Sequence, residues 1–224
     1  MIDRLRPSEY TALLIQALRI DPSRVRGVAV LEIGCGSGVV LAALGALGAA
    51  SLCGIDIEPE AILSGTTLLR SLGYTDTIEL YHGDMWQPVA GRRFDLIVAN
   101  LPHFPAAEAS FAGRLPSWSG GGIDGREQLD RFIDGLPDHL HPGGRAVMTH
   151  NAFVGLARSR DMAETRGLGL RVVTTTMLHL ADEKAGRMTE SVLLAEENRS
   201  IHRYGHYVFA EMHIVEIGPA GTIG

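Results

Sequence analysis

Short apolar runs rich in Val, Ile and Leu alternate along the chain with longer segments of helical periodicity. The apolar runs lie at 28–34, 51–57, 77–83, 94–100 and 144–150. The first two, VAVLEIG and SLCGIDI, are apolar on both faces, as is typical of parallel strands that helices cover on both sides. One helical segment, PEAILSGTTLLRSLG, has Pro59 in its first turn and Gly73 at its end. The alternation predicts a doubly wound, mostly parallel α/β sheet with right-handed crossovers.

The last third of the chain has a different pattern. Two strand-like runs, at 170–180 and 205–217, follow each other without a clear helix between them. We therefore expect an antiparallel C-terminal hairpin that completes a seven-stranded sheet. The whole chain, 1–224, is expected to form one domain, with an N-terminal helical segment at 1–25, a core at 26–150, and a C-terminal helix and closing strands at 151–224. Residues 181–191, ADEKAGRMTES, are the candidate for a mobile lid.

Composition narrows the class of protein. The 224 residues are 46% hydrophobic, which is enough to bury one sizeable core. Two cysteines, Cys35 and Cys53, form no disulfide framework and suggest a reducing compartment. The charged N-terminus is unlike a signal peptide, and no window approaches the roughly 18 apolar residues of a membrane span. A cytoplasmic protein without membrane contact is expected, and the net charge of -6 disfavours nucleic acid as a partner.

Candidate binding residues follow the predicted strands. The first strand runs into EIGCGSG, where Gly34, Gly36 and Gly38 permit a tight turn and close approach of backbone amides to a ligand. Asp56 ends the second strand and Asp84 follows the third. Because the carboxyl ends of parallel strands meet at one edge, these groups should converge there. A glycine turn without a ligand is the alternative, and the G-x-G-x-G spacing makes a nicotinamide enzyme the minority hypothesis.

The motifs VLEIGCGSG, GIDIEPEA, GDMW and FDLIVANLPH, in that order, resemble those of class I S-adenosylmethionine-dependent methyltransferases, which have a Rossmann-like fold. The resemblance implies that S-adenosyl-L-methionine is the cofactor and S-adenosyl-L-homocysteine the product. It assigns the amino acid portion of the cofactor to the first strand and its turn, the ribose to the end of the second strand, and the adenine to the end of the third. The residues implied are Glu32, Gly34, Cys35, Gly36 and Gly38 for the first, Asp56 and Ile57 for the second, and Asp84 and Met85 for the third.

Two flanking segments resemble those of HemK-type methyltransferases, which modify a glutamine side-chain amide of translation release factors. RPSEYTALLIQAL, at 6–18, is similar to their P-x-E-D-T-x-L-L segment, with Thr11 in register and Tyr10 in place of the acid. This match adds Thr11 to the implied cofactor-binding residues. GGGIDG, at 120–125, is similar to their G-G-x-D-G stretch. Alternatively, the two segments are only an amphipathic helix and a glycine loop.

The fourth strand of HemK-type enzymes ends in N-P-P-Y, and this chain has Asn100, Leu101, Pro102 and His103 there. By that resemblance these four residues are the candidate catalytic group, and Asn100 also borders the cofactor. The Asn100 side chain and the Leu101 carbonyl can accept N–H groups of an amide or amine, while Pro102 stiffens the turn. His103 could offer a flat ring for stacking. N-L-P-Y also occurs in rRNA adenine dimethyltransferases, but the acidic charge counts against RNA.

Several functions stay open at this point. The acceptor is a nitrogen of a protein glutamine or of a small molecule. Bacterial release-factor enzymes carry a helical N-terminal domain that helps to grip the protein substrate. We do not expect that domain in this chain, so a recruiting protein partner is one expectation and a small acceptor another. A small-molecule N- or O-methyltransferase and an inactive cofactor-binding module are alternatives. The histidines lack zinc-site spacing, so no metal is expected.

Overall fold

The computed structural model describes residues 5–106, 117 and 120–221. Within them, eight strands form one sheet, and seven of the strands lie in the order β3-β2-β1-β4-β5-β8-β6. Strands β1 to β5 pair in parallel, whereas β8 pairs antiparallel with β5, β6 and β7. The strands are β1 Ala29–Ile33, β2 Ser51–Asp56, β3 Ile78–His82, β4 Phe94–Ala99, β5 Leu140–Asn151, β6 Leu168–His179, β7 Ile201–Tyr204 and β8 Tyr207–Pro219.

Helices cover both faces of this sheet. The longer helices are α1 Glu9–Arg19, α2 Val39–Ala46, α3 Pro59–Ser71, α4 Glu127–His139 and α5 Leu156–Glu164. Neighbouring strand residues point to opposite cores: Val30 packs in the same cluster as Leu14 and Leu41 of α1 and α2, whereas Leu31 packs in the cluster that contains Phe132 of α4. The central strands are therefore buried on both faces, which confirms the predicted doubly wound fold.

The antiparallel hairpin was also predicted, but its connection is more structured than expected. Two short helices, α6 Asp182–Arg187 and α7 Glu190–Glu196, and strand β7 lie between β6 and β8. Helices of six and seven residues are too short to show a clear apolar period, and they are not stable alone. Packing holds them in place, which the local sequence could not show.

The candidate lid, residues 181–191, is anchored beside the segment that follows β4. Met188 is buried, the Thr189 N–H donates to the Pro105 carbonyl (2.9 Å), and the Thr189 hydroxyl donates to the Ile123 carbonyl (2.7 Å). These contacts hold the connection against the end of β4, where the candidate catalytic residues lie.

Among the described residues, no helix has the length and apolar character that a membrane crossing requires.

Candidate active site

The glycine turn after β1 depends on backbone conformations that favour glycine. Gly34, Gly36 and Gly38 have φ angles of 73°, 53° and 78°. A Cβ atom on Gly38 would lie 2.9 Å from the Gly65 Cα of α3, so the turn and α3 approach each other closely. The Gly34 N–H also donates to the Ile55 carbonyl at 2.8 Å, which ties the turn to β2. This geometry leaves a rigid concave backbone at the edge of the sheet.

Asp56 holds two segments of backbone together at the end of β2. Its carboxylate is buried; one oxygen accepts the Gly36 N–H at 2.8 Å and the other accepts the Glu58 N–H at 2.9 Å. A carboxylate has about four acceptor positions, and these two bonds use two of them. The spacing of 20 residues between Gly36 and Asp56 therefore has a structural role as well as the implied role in ribose binding.

Glu32 is a buried carboxyl group without enough partners. It lies on β1, and the Leu41 N–H at the start of α2 donates to it. Its Oε2 atom has no hydrogen-bond partner. Burial, together with the nearby charge of Asp56, raises the pKa of Glu32 well above its usual value. A cationic amino group would supply the missing donor and favour the ionised form, so the site fits the amino acid portion of S-adenosylmethionine.

Two adjoining cavities run along the carboxyl edge of the sheet and share Gly34 and Pro102. The first, of about 100 Å³, lies between the glycine turn, α1 and the end of β4; the second, of about 300 Å³, lies between the ends of β2 and β3. The first is lined by the predicted residues Thr11, Glu32, Gly34, Cys35, Gly36, Asn100 and Pro102. The second is lined by Gly34, Asp56, Ile57, Asp84, Met85, Leu101 and Pro102. This elongated cleft suits a ligand with an amino acid at one end and a nucleoside at the other.

The end of the cleft that the resemblance assigns to adenine contains one residue, Arg131, that the sequence did not indicate. Asp84 pairs with Arg131 of α4 at 2.7 Å, and both side chains line the second cavity. Met85 is buried and has a φ of 50°, a conformation uncommon outside glycine. Arg131 lies 47 positions after Asp84, so only the folded chain shows that the two meet.

The Asn100 amide is fixed by threonines from two different elements. The Thr149 hydroxyl donates to Asn100 Oδ1 at 2.9 Å, and Asn100 Nδ2 donates to Thr11 Oγ1 at 3.3 Å. Thr11 Oγ1 also accepts the Ser8 N–H at 3.2 Å, so it acts as an acceptor for Asn100. Thr11, which lines the first cavity, thus contacts the candidate catalytic group at residues 100–103. Thr149, inside β5, carried no sequence signal.

His103 does not present a stacking surface, which corrects the expectation from the sequence. The ring is only 4% exposed and does not line either cavity. Its Nδ1–H donates to the Leu101 carbonyl at 2.6 Å, and its Nε2 accepts the Asn151 N–H at 3.1 Å. Burial lowers the pKa of His103 to about 4, so the ring is neutral near pH 7. His103 therefore fixes the backbone of residues 100–103 from the side that faces away from the cavities.

Tyr10 lies against His103. The Tyr10 hydroxyl donates to Asn151 Oδ1 at 2.9 Å, and the two rings meet edge to face with centroids 6.1 Å apart. Tyr10 and His103 are two of the positions at which the chain departs from the HemK pattern. Because they touch each other and share Asn151, the two departures form one local rearrangement.

Comparisons with known proteins agree with this geometry. Residues 30–114 match a family model described as a methyltransferase domain. The human methyltransferase HEMK2 is 36% identical, over 85% of this chain and 88% of its own length. The release factor glutamine methyltransferase of Geobacter sulfurreducens is 32% identical, over 62% of this chain and 50% of its own length.

A solved structure shares the fold at lower identity. The Encephalitozoon cuniculi Mtq2–Trm112 complex, described as responsible for methylation of the translation termination factor eRF1, matches with a TM-score of 0.61 and 18% identity. That match covers 97% of this chain and 99% of the other. With a relative that is 36% identical over most of both lengths, the chain belongs to the HemK-type family of S-adenosylmethionine-dependent methyltransferases.

Proposed function

We propose that this methyltransferase transfers the methyl group to the side-chain amide nitrogen of a glutamine in a protein. The observation that carries the proposal is that Asn100 lines the same cavity as Glu32 and the glycine turn. An acceptor held by Asn100 therefore lies beside the amino acid end of the cofactor cleft. The glutamine activity named for the Geobacter sulfurreducens relative points in the same direction.

The cofactor-binding roles are part of this proposal. Glu32 binds the α-amino group, Asp56 accepts hydrogen bonds from the ribose hydroxyls, and Asp84 with the Met85 backbone contacts the adenine. When bound, S-adenosylmethionine supplies an activated methyl group on a sulfonium, so the protein contributes mainly positioning and electrostatics.

The acceptor roles belong to the end of β4. A primary amide has two N–H donors and no charge, so it needs two acceptors to be oriented. Asn100 Oδ1 has a second lone pair beyond the one used by Thr149, and the Leu101 carbonyl has one beyond that used by His103. These two oxygens bind the amide hydrogens and favour positive charge on the attacking nitrogen. A hydroxyl acceptor has one donor and would fill only one of these two remaining acceptor positions.

A recruiting protein is a further part of the proposal. Mtq2, which shares this fold, was solved in complex with Trm112, and this chain spans half the length of the Geobacter sulfurreducens enzyme. We infer that a partner protein contributes to binding of the protein acceptor. We also place the enzyme in the cytoplasm, where the two free, buried thiols Cys35 and Cys53 stay reduced.

The test uses methyl-labelled S-adenosylmethionine, the purified protein and a lysate of the source cells, separated into protein, RNA and small-molecule fractions. We expect label in a protein band, and mass spectrometry of its peptides should place one added methyl on a glutamine side chain. An Asn100→Ala preparation gives the background. Label confined to the small-molecule or RNA fraction would contradict the proposal, and binding of S-adenosylhomocysteine without label anywhere would indicate an inactive binding module.

A further inference from the structure

A third cavity, with charged side chains on one wall, lies at the opposite edge of the sheet from the active site. It has a volume of about 340 Å³ and is enclosed by the end of α1, the segment before β1, and strands β5, β6 and β8. Arg24, Arg145, Arg171 and Glu216 form its charged wall, and Asp21 lies at its rim. The remaining wall is mostly apolar and consists of Ala17, Leu18, Ile20, Val147 and Val173. Neither of the two active-site cavities includes any of these residues.

One buried carboxylate lies within ion-pair distance of all three guanidinium groups. The Glu216 side chain is 4% exposed and accepts two hydrogen bonds from Arg24, at 2.9 and 2.7 Å. Arg171 Nη2 donates a further bond to Glu216 at 3.3 Å. The closest approach of Arg145 is 3.7 Å, from Nε to Glu216 Oε2, which is too long for a hydrogen bond. The carboxylate is therefore already taken up by two of the three cations.

The cluster has N–H donors without an acceptor, and its positive charges outnumber its negative charges. The Nε atoms of Arg145 and Arg171 are buried and make no hydrogen bond, although Arg145 Nη2 donates to the Arg24 carbonyl at 3.1 Å. Burial, with repulsion from Arg24 and Arg171, lowers the pKa of Arg145 even though Glu216 and Asp21 act against it. The Asp21 carboxylate accepts the Ser23 N–H, and its charge also acts on Arg24 and Arg145. Three arginines against Glu216 and Asp21 leave one excess positive charge, so the cavity is locally cationic in a chain of net charge -6.

We propose that this cavity binds a small oxyanion, namely a phosphate group. Planar guanidinium groups present paired N–H donors that match the oxygens of phosphate, and its negative charge would offset the excess positive charge of the cluster. The Arg24 and Arg171 side chains are 36% and 38% exposed, so their outer N–H groups are reachable from solvent. The apolar wall of Leu18, Val147 and Val173 gives space for the organic part of a phosphate monoester. Free phosphate and a monoester share the chemistry that the arginines recognise.

The test is thermal unfolding of the full chain at increasing inorganic phosphate, with chloride added to keep ionic strength constant. The wild-type Tm should rise by about 3–6 °C and reach a plateau, because a ligand that binds only the folded state stabilises it by mass action. Arg171→Gln, which removes a partly exposed cation, should lose most of this rise. Arg160→Gln, at an exposed arginine of α5, is the matched control and should keep it.

Phosphate also stabilises many proteins by exclusion from their surface, but that effect has no plateau and no dependence on Arg171. The proposal is therefore tested by comparing the phosphate-induced Tm shift of each variant with that of the wild type. The Tm of each variant without phosphate does not enter this comparison. Arg24→Gln, an independent second variant, should also lose most of the phosphate-induced rise in Tm. Equal shifts in the wild type and in both variants, or no shift at all, would overturn the proposal. Repeating the titration with glycerol 3-phosphate separates the sources: a lower half-saturation concentration than that of phosphate assigns a monoester, and a higher one assigns free phosphate.

Discussion

The two halves of the active-site cleft are shaped by different kinds of contact. In the half that we propose binds the cofactor, called here the cofactor half and comprising Glu32, the turn at 34–38 and Asp56, backbone amides and one carboxylate define the cavity within 25 residues of chain. In the acceptor half, which comprises residues 100–103 with Thr11, Thr149 and Asn151, side chains from α1 and β5 hold the motif. The first half follows the family pattern and the second departs from it.

The difference between the two halves indicates which part of the cleft can accept amino-acid substitutions. Replacing a glycine of the turn would strain the backbone itself, so the cofactor half has few alternatives. In the acceptor half, the exchange of proline and tyrosine for Leu101 and His103 is compensated by hydrogen bonds to His103 and by contact with Tyr10. Thr149 and Thr11 hold the Asn100 amide, and His103 holds the Leu101 carbonyl, so both groups that the proposed chemistry uses are fixed by contacts within this chain.

The acceptor half should lose stability most when His103 is removed. His103→Ala leaves the buried Leu101 carbonyl and Asn151 N–H unpaired and opens a cavity, so we expect a loss of about 3 kcal/mol in the free energy of unfolding. Chemical denaturation measures it. His141→Ala, at an exposed histidine of β5, should change the value by less than about 0.5 kcal/mol. Equal values for the two variants would show that His103 does not support the motif.

The cofactor half should respond most to loss of Asp56. Asp56→Ala removes the implied ribose contact and the bonds to the Gly36 and Glu58 amides, so the Kd for S-adenosylhomocysteine should rise roughly 30- to 100-fold, which corresponds to about 2–3 kcal/mol. Titration calorimetry gives this constant. Asp76→Ala, at an exposed aspartate before β3, serves as the control. An unchanged Kd for Asp56→Ala would contradict the assigned role.

The buried histidines should make the fold sensitive to mild acid. His103 and His150 have pKa values of about 4 and about 3, both lowered from 6.5 chiefly by burial. Each stays neutral in the folded chain and takes up a proton on unfolding, so its contribution to stability is complete above pH 6.5 and is lost as the pH falls. By pH 5 the loss should be about 2 kcal/mol per histidine. A free energy of unfolding that is constant from pH 7 to pH 5 would contradict these values.

The smallest expected effect concerns the orientation of Asn100. Thr149→Val removes the hydroxyl that donates to Asn100 Oδ1 while keeping the side-chain shape, so kcat should fall roughly 10-fold with the cofactor Kd unchanged. Steady-state methyl-transfer assays measure kcat, and titration calorimetry measures the cofactor Kd. Thr75→Val, at an exposed threonine before β3, is the control. A matching loss of cofactor affinity would assign Thr149 to the cofactor half instead.

The sequence predicted the fold and the residues that line the cleft at the ends of β1, β2 and β3 because their signals are local. Strand patterns, the glycine spacing and Asp56 lie within short segments whose geometry follows from backbone rules. Thr149 and Asn151 gave no signal, because their contacts with Asn100 and His103 join positions 49 and 48 residues apart. At His103 the sequence predicts a ring available for stacking, because it shows a turn but not the residues that bury the ring.

The arginine cavity was missed for the same reason. Arg24, Arg145, Arg171 and Glu216 are single charges in four separate segments, and each by itself is ordinary. The antiparallel pairing of β8 with β5 and β6 brings Glu216 between Arg145 and Arg171. That register depends on the closed sheet and could not be derived from the hydrophobic pattern.

The central claim is that Asn100 orients the acceptor and contributes little to cofactor binding. The direct measurement is the single-turnover rate of methyl transfer to the labelled protein fraction by Asn100→Ala at saturating S-adenosylmethionine. The account predicts a rate roughly 100-fold or more below wild type, with the cofactor Kd within about 3-fold of the wild-type value. A wild-type rate at saturating cofactor would contradict the account, because it would leave Asn100 without a role in the transfer.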